Sequence, residues 1–359
     1  MAAGGLVWVG AENGALKEVN LRRKQATNHV CGGGGLNRSG GVCALGWADP
    51  AEREILVACR DRFVHRFSTE SGKFCGGRRC PGGEGPFCGV AALRGSIVTC
   101  VESGVVTVWR EDGTEDVTIQ AGPRLSRMRQ HPQRPQRLGT GGRDNALKLW
   151  DLQRPQEPLF SAKNVRNDWL DLRVPVWDRD LAFLPHGDKV VTCTAHRQVR
   201  VYDPACPQRR PVLEATFGEG ALSTLALGPT DTSVIVGSAR GEIGVIDLRK
   251  GRLLRSLKGV AGGVRGLLCP PPDPPLVVSC GLDRFLRVHD LRGGALRSKV
   301  YLKSPLTCLL LSSRHPWQDE EEPPPPEEPE EGGGDALWDA LETVPTSPKR
   351  GTKRKALGP

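Results

Sequence analysis

Seven stretches of this 359-residue chain line up on one another. A repeated unit that cannot bury its own faces must stack on its copies, so this self-similarity restricts the fold more than any other feature. The clearest copy is Leu138-Gly-Thr-Gly-Gly-Arg-Asp-Asn-Ala-Leu-Lys-Leu-Trp-Asp-Leu152. It reads as a small-residue strand end, an Arg-Asp-Asn turn and an alternating strand closing on Trp-Asp. The other copies run from Leu6 to Leu21, Ile55 to Phe67, Ile97 to Trp109, Val190 to Asp203, Val234 to Leu248 and Leu276 to Leu291. Aligned positions Val19, Phe67, Trp109, Trp150, Tyr202, Ile246 and His289 are 48, 42, 41, 52, 44 and 43 residues apart.

A WD40 blade repeats every ~40–45 residues as four strands. The chain is therefore expected to be all-β, a seven-bladed WD40 β-propeller over residues 1–312. Runs such as Ile55 to Cys59 are continuously apolar, as strands covered on both sides must be. Small residues recur where strands crowd, at Gly10, Cys59, Cys100, Cys193, Gly237 and Cys280. Leu6–Gly10 and Ala15–Leu21 make half a blade, and Lys299–Lys303 with Leu306–Leu311 are expected to supply the other half, removing the sheet edges. Truncation at either end should then unfold the ring.

The segment after the ring differs in kind. Residues 313–334 hold an acidic, proline-rich run from Asp319 to Gly334 that cannot bury a core and is expected to be a disordered linker. Residues 335–344 read as a short amphipathic docking helix with Leu337, Trp338, Leu341 and Val344 on one face. Residues 345–359 form a basic tail in which Lys349, Arg350, Lys353, Arg354 and Lys355 make a cluster of the nuclear-import type, with Ser347-Pro348 beside it as a phosphorylation switch. The formal charge of +9 hides an asymmetry, with −5 from Ser313 onward and +14 before it. A basic propeller suggests an acidic or nucleic-acid partner.

Neither a signal peptide nor a run of ~18 uncharged apolar residues is found, so a soluble protein is expected, neither secreted nor membrane-spanning. Most of the 12 cysteines fall in apolar strand runs and read as reduced core thiols. Cys75, Cys80 and Cys88 lack a second close pair for zinc. No metal or cofactor is expected. Scattered histidines, and the lack of a P-loop or a paired-carboxylate motif, predict no catalysis.

Partner contacts are expected in three places. The longest interval contains Lys163-Asn-Val-Arg-Asn-Asp-Trp-Leu-Asp-Leu-Arg-Val-Pro-Val-Trp-Asp178, read as a long loop on the top face before an inner strand at Leu181–Leu184. Its Asn164, Arg166, Asp168, Trp169, Asp171, Arg173, Trp177 and Asp178 have the composition of an interface hot spot, although a loop folded onto its own blade with its tryptophans buried has the same composition. Arg124 begins a basic strip that continues through Arg127, Arg129, Arg134 and Arg137, placed on one edge of the ring as candidate RNA or acidic-partner contacts. Arg78 and Arg79, in a Gly-rich stretch between blades, are candidate phosphate contacts of the same kind.

The run from Lys163 to Asp178, with Gly141 to Leu152, Val199 to Pro204, Gln208 to Val212 and the closing Lys299 to Leu311, resembles the WD repeat-containing protein seventy-four and Nsa1 family, nucleolar WD40 factors of large ribosomal subunit assembly. The resemblance covers about Leu6 to Ser312. It implies a scaffold on nucleolar pre-ribosomal particles of the large (60S) subunit during rRNA processing, with contacts to pre-60S assembly factors and pre-ribosomal RNA. It further implies release by an AAA-ATPase of the NVL/Rix7 type, a nuclear and nucleolar location, and a monomer within a larger complex. An alternative is a substrate receptor of a cullin-type ubiquitin ligase, since Ile246-Asp-Leu-Arg249 and His289-Asp-Leu-Arg292 resemble the WDxR box without its leading Trp.

Overall fold

The computed structural model describes residues 5–30, 35–111, 115–185, 187–270 and 275–313. Among them lie 28 strands and no helix, arranged as seven antiparallel four-stranded sheets. The tail positions Leu337, Trp338, Leu341, Lys349, Arg350, Lys353, Arg354 and Lys355 fall outside the described residues.

We number the blades by their inner strands: Val42–Trp47, Phe87–Leu93, Leu125–Gln130, Asp178–Phe183, Leu222–Leu227, Val264–Leu268 and, in blade 7, Leu306–Leu311. Each inner strand touches the next and the seventh touches the first, which makes a seven-bladed β-propeller around a central channel. The repeats recognised in the sequence are the second and third strands of each blade. Second strands such as Ser233–Ser238 and Leu276–Gly281 are buried throughout, and they separate the inner strand from the rest of the blade. Burying each large aliphatic side chain there contributes about 1.5–3 kcal/mol. Trp109 and Trp150 on third strands donate Nε1 protons to Thr99 Oγ1 and Thr140 Oγ1, at 2.9 and 3.0 Å, so both indoles are buried with their polar atom satisfied.

Closure differs from the expected division. Blade 7 takes three strands from the start of the chain, Leu6–Ala11, Ala15–Asn20 and Gln25–Val30, and one from the far end, Leu306–Leu311. Lys299 belongs instead to Leu296–Tyr301, the outer strand of blade 6. The seam is the pairing of Val9 with Leu309, in which a single C-terminal strand fills the innermost position. The sheet edges also persist, since the outer strands Gln25–Val30 and Arg252–Leu257 are largely exposed; the first is mostly polar, and Arg252 and Arg255 put charge on the second beside the exposed Leu253 and Leu254.

Two sequence assignments move with the strands. Phe74–Arg79 lies in the outer strand Lys73–Arg79 of blade 1 rather than in a linker. The inner strand of blade 4 starts at Asp178, so Asp178 is no loop residue; it is 2% exposed and buried between strands. Cys80 and Cys88 are buried, each in a different apolar cluster, while Cys75 is exposed. Among the described residues no group of His, Cys, Asp or Glu could hold a metal.

Candidate partner interface

The loop from Lys163 to Trp177 connects the outer strand Phe160–Ser161 of blade 3 to the inner strand of blade 4. Its base is fastened to the ring. Lys163 N donates to Arg209 O at 2.8 Å, and Asn164 Nδ2 donates to Val174 O at 2.6 Å, which staples the two loop arms together. At the other end Asp144 N donates to Val176 O and Ala195 N to Trp177 O, both at 2.9 Å. Val176 and Trp177 are thus wedged between the hairpin turns of two neighbouring blades. Trp177 is half-buried, with the Arg143 and Arg179 guanidiniums 5.0 and 5.4 Å from its ring centroid.

The tip is built differently. Asp168 Oδ1 accepts from the amides of Leu170 and Leu172, each at 2.9 Å, and Asp168 N donates to Leu172 O at 3.0 Å. Asn167 Nδ2 donates to Asp171 O and Oδ1 at 3.1 and 2.8 Å, and Asp171 holds a left-handed backbone with φ of 59°. This is a locally determined turn that needs no partner to take its shape. It leaves Trp169 at 89%, Leu170 at 56% and Leu172 at 59% exposure. Three large apolar side chains exposed together on a stiff turn are costly in water and fit an anchor for a hydrophobic pocket. The two tryptophans therefore part roles: Trp169 is outward, Trp177 holds the base. Asp168 and Asp171 shape the turn, whereas Arg166 and Arg173 flank it, exposed. Leu170 and Leu172 escaped the sequence reading because Leu has no composition signal in a loop.

The basic strip is not a free edge. Arg127 and Arg129 project from the inner strand of blade 3 onto Asp180 of blade 4, which is fully buried. Arg127 Nε lies 3.2 Å from Oδ1, and Arg129 makes a two-point contact at 3.1 and 3.0 Å. Asp180 also accepts from Thr224 Oγ1 at 3.1 Å and Leu225 N at 3.2 Å of blade 5. Burial alone would raise its carboxyl, but the two arginines overcome that and hold it below the usual carboxylate range. Arg134 and Arg137 both pair with Asp188 at 2.8 and 2.7 Å, and Arg124 with Asp144 at 3.0 Å. All five arginines are matched by carboxylates 20 to 54 residues further on, so most of this charge fastens blade to blade. Arg78 is likewise committed, stacked on Trp109 at 4.8 Å and bonded to Arg110 O, while Arg79 beside it is exposed. In the alternative motif, Asp247 and Asp290 accept from the amides of Arg249 and Arg292 at 2.8 and 2.7 Å, which makes them turn formers.

A further feature has no counterpart in the sequence reading. Every inner strand carries a β-bulge at its second residue: Cys43, Cys88, Ser126, Arg179, Ser223, Arg265 and Thr307. A bulge re-aims one side chain. Here it points seven of them, one per blade, into the mouth of the channel, a cavity of ≈ 590 Å³ at the end of the ring that carries the hairpin turns. Aligning the inner strands rather than the hairpins would have exposed this register.

Seven four-stranded blades, a seam strand and Trp–Thr bonds within the repeats define a WD40 β-propeller, and the WD domain, G-beta repeat family matches residues 251–290. The chain is 55% identical over 347 residues to WD repeat-containing protein 74 of Bos taurus, covering 94% of this chain and 90% of that protein. With the Homo sapiens protein of the same name it shares 54% over 361 residues, or 98% and 91% of the two chains. Ribosome biogenesis protein NSA1 of Meyerozyma guilliermondii is 33% identical over 261 residues, 63% of this chain and 64% of that one. The chain belongs to the WD repeat-containing protein 74 family.

Proposed function

We propose that this chain is a non-catalytic scaffold of ribosome biogenesis, acting in the nucleus and nucleolus on pre-ribosomal particles of the large subunit during rRNA processing. It contacts pre-60S assembly factors, and an AAA-ATPase of the NVL/Rix7 type releases it. The name ribosome biogenesis protein, carried by fungal relatives from Meyerozyma guilliermondii, Yarrowia lipolytica and Schizosaccharomyces pombe, supports the process. The single structural observation that carries the mode of action is the preformed turn exposing Trp169, Leu170 and Leu172. Contact with pre-ribosomal RNA, on this reading, falls to the exposed Arg79, Arg166 and Arg173 rather than to the paired strip. The tail segment carrying Leu337, Trp338 and Leu341 supplies a further docking element, either for a partner or for the ring itself, and the basic cluster from Lys349 to Lys355 directs import.

Sucrose-gradient sedimentation of nuclear extract tests it, comparing the intact chain with a Trp169→Ala, Leu170→Ser, Leu172→Ser variant of unchanged thermal midpoint. The intact chain should run with large-subunit precursors and the variant in the light fractions. An intact chain that stays light under conditions preserving those particles overturns the assignment. A variant that still co-sediments moves the interface away from the loop.

A further inference from the structure

The bulge ring at the channel mouth is not uniform. Four of its seven members direct their donor to a backbone carbonyl of the ring: Cys43 to Gly41 at 3.6 Å, Cys88 to Leu125 at 3.1 Å, Ser223 to Val264 at 2.6 Å and Thr307 to Gly10 at 3.1 Å. Burial raises the Cys88 thiol to about 12 and the Cys43 thiol above its ordinary value, so neither is a nucleophile at neutral pH. Arg179 and Arg265 stand apart. Neither has an ion pair or a hydrogen bond among the described residues, yet both line the cavity, together with Arg60 from a hairpin turn and Arg127. Arg179 is placed by its stacking on Trp177, and burial, with repulsion from Arg265 and Arg127, pulls its guanidinium below the ordinary value.

Glu12 and Glu102 line the same mouth, yet no carboxylate among the described residues is bonded to Arg179 or Arg265, and two like charges that repel each other persist where something anionic completes them. We infer that the channel mouth is a receptor for an acidic peptide segment of a protein partner, whose carboxylates are held by Arg179, Arg265 and Arg60. A peptide fits the surroundings better than a nucleic acid does. No aromatic side chain among the cavity's lining residues other than Phe87, which is buried, is available for base stacking. Planar guanidiniums match carboxylates in a two-point geometry. The site stands independently of the ribosome assignment, since it rests on the ring alone.

Fluorescence anisotropy with the full chain tests the inference, using a labelled poly-Glu peptide of about ten residues, its poly-Gln counterpart, and single-stranded RNA of equal charge. The Glu peptide should bind and the Gln peptide should not, with affinity falling as salt rises. Arg179→Gln with Arg265→Gln should weaken binding at least about tenfold. Arg265→Gln alone, which spares the stacking of Arg179 on Trp177, should melt higher than the parent, because it removes mutual repulsion and breaks no bond; a merely structural arginine would melt lower when removed. Equal binding of the Glu and Gln peptides, no binding of either, or undiminished binding by the variant overturns the inference. RNA that binds more tightly than the Glu peptide, in an Arg179- and Arg265-dependent way, overturns the peptide assignment in favour of nucleic acid.

Discussion

Ser313 reaches across the seam between blades 7 and 1 to Glu52: its amide lies 3.0 and 2.9 Å from the two carboxylate oxygens and its hydroxyl 2.6 Å from one of them. Ser312 Oγ adds a bond at 2.8 Å, and Trp47 Nε1 donates to Leu311 O at 3.3 Å. Glu52 sits in the first turn of blade 1, so this cluster locks the strand that closes blade 7. Charge-assisted hydrogen bonds contribute about 1.5–3 kcal/mol, and their loss leaves the buried Ser312 hydroxyl without its carboxylate. Glu52→Ala should lower the urea-unfolding free energy by about 2–3 kcal/mol, and Glu52→Gln by less. Deleting 306–313 removes the innermost strand of blade 7 altogether and should abolish cooperative unfolding.

Asp178 and Asp180 share one inner strand and respond to pH in opposite directions. Burial raises the Asp178 carboxyl to about 6, with Arg200 opposing. Its folded value stands above its unfolded one, so the cost of burying the charge is fully present above about pH 6 and is relieved as the pH falls through it. Asp178→Asn should therefore stabilise by ~2 kcal/mol at neutral pH, a gain that fades towards pH 5. Asp180 is held low by Arg127 and Arg129. Its contribution is present above the ordinary carboxylate range and is lost as pH falls below it. Asp180→Asn strands two guanidiniums and should cost about 3–5 kcal/mol at neutral pH. Thermal melts carried from pH 8 down to about pH 2 decide both signs, since the Asp180 contribution is lost only below the ordinary carboxylate range.

The ring itself could be read from the sequence because a blade is a local object. Trp-Asp endings, small residues at Cys59 or Gly237, and the 41–52-residue spacing are all set within one hairpin. What could not be read depends on residues far apart. Arg127 and Arg129 look like free charge until Asp180 arrives from the next blade, 51 residues after Arg129. The assignment of Lys299 failed for a similar reason: strand propensity alone does not say which of two neighbouring blades a strand completes. Trp169 and Trp177 have the same local composition and differ only in whether a hairpin turn packs against them.

Gly10 shows how tightly the seam is packed. A Cβ built there would stand 2.5 Å from Cys308 Sγ and 2.6 Å from Val42 Cγ1, which joins the second strand of blade 7 to both its own inner strand and that of blade 1. Neither neighbour can retreat, since Val42 is 1% exposed and Cys308 is 8% exposed. Gly10→Ala should destabilise by about 1–3 kcal/mol through overpacking. The companion change Cys308→Ala in the same chain should recover part of that loss, which a double-mutant cycle measures directly.

Asp168 separates the shape of the loop tip from its contact surface. Its Oδ1 is the common acceptor for Leu170 N and Leu172 N, and its backbone pairs with Leu172 O. The residue is exposed, so removing its side chain should change global stability by less than ~0.5 kcal/mol. The turn, however, loses two of the bonds that hold Trp169, Leu170 and Leu172 in one arrangement. A partner would then have to order the tip on binding, at roughly 0.5–1.5 kcal/mol per immobilised side chain. On the proposed function, Asp168→Ala should thus weaken association with pre-ribosomal particles by about tenfold while every apolar contact group remains in place. The loss should appear mainly in a faster off-rate or lowered on-rate of a reordering loop, measured by surface binding of purified particles. Unchanged binding kinetics in Asp168→Ala, alongside a loss in Trp169→Ala, would show that the partner and not the turn sets the geometry of the tip.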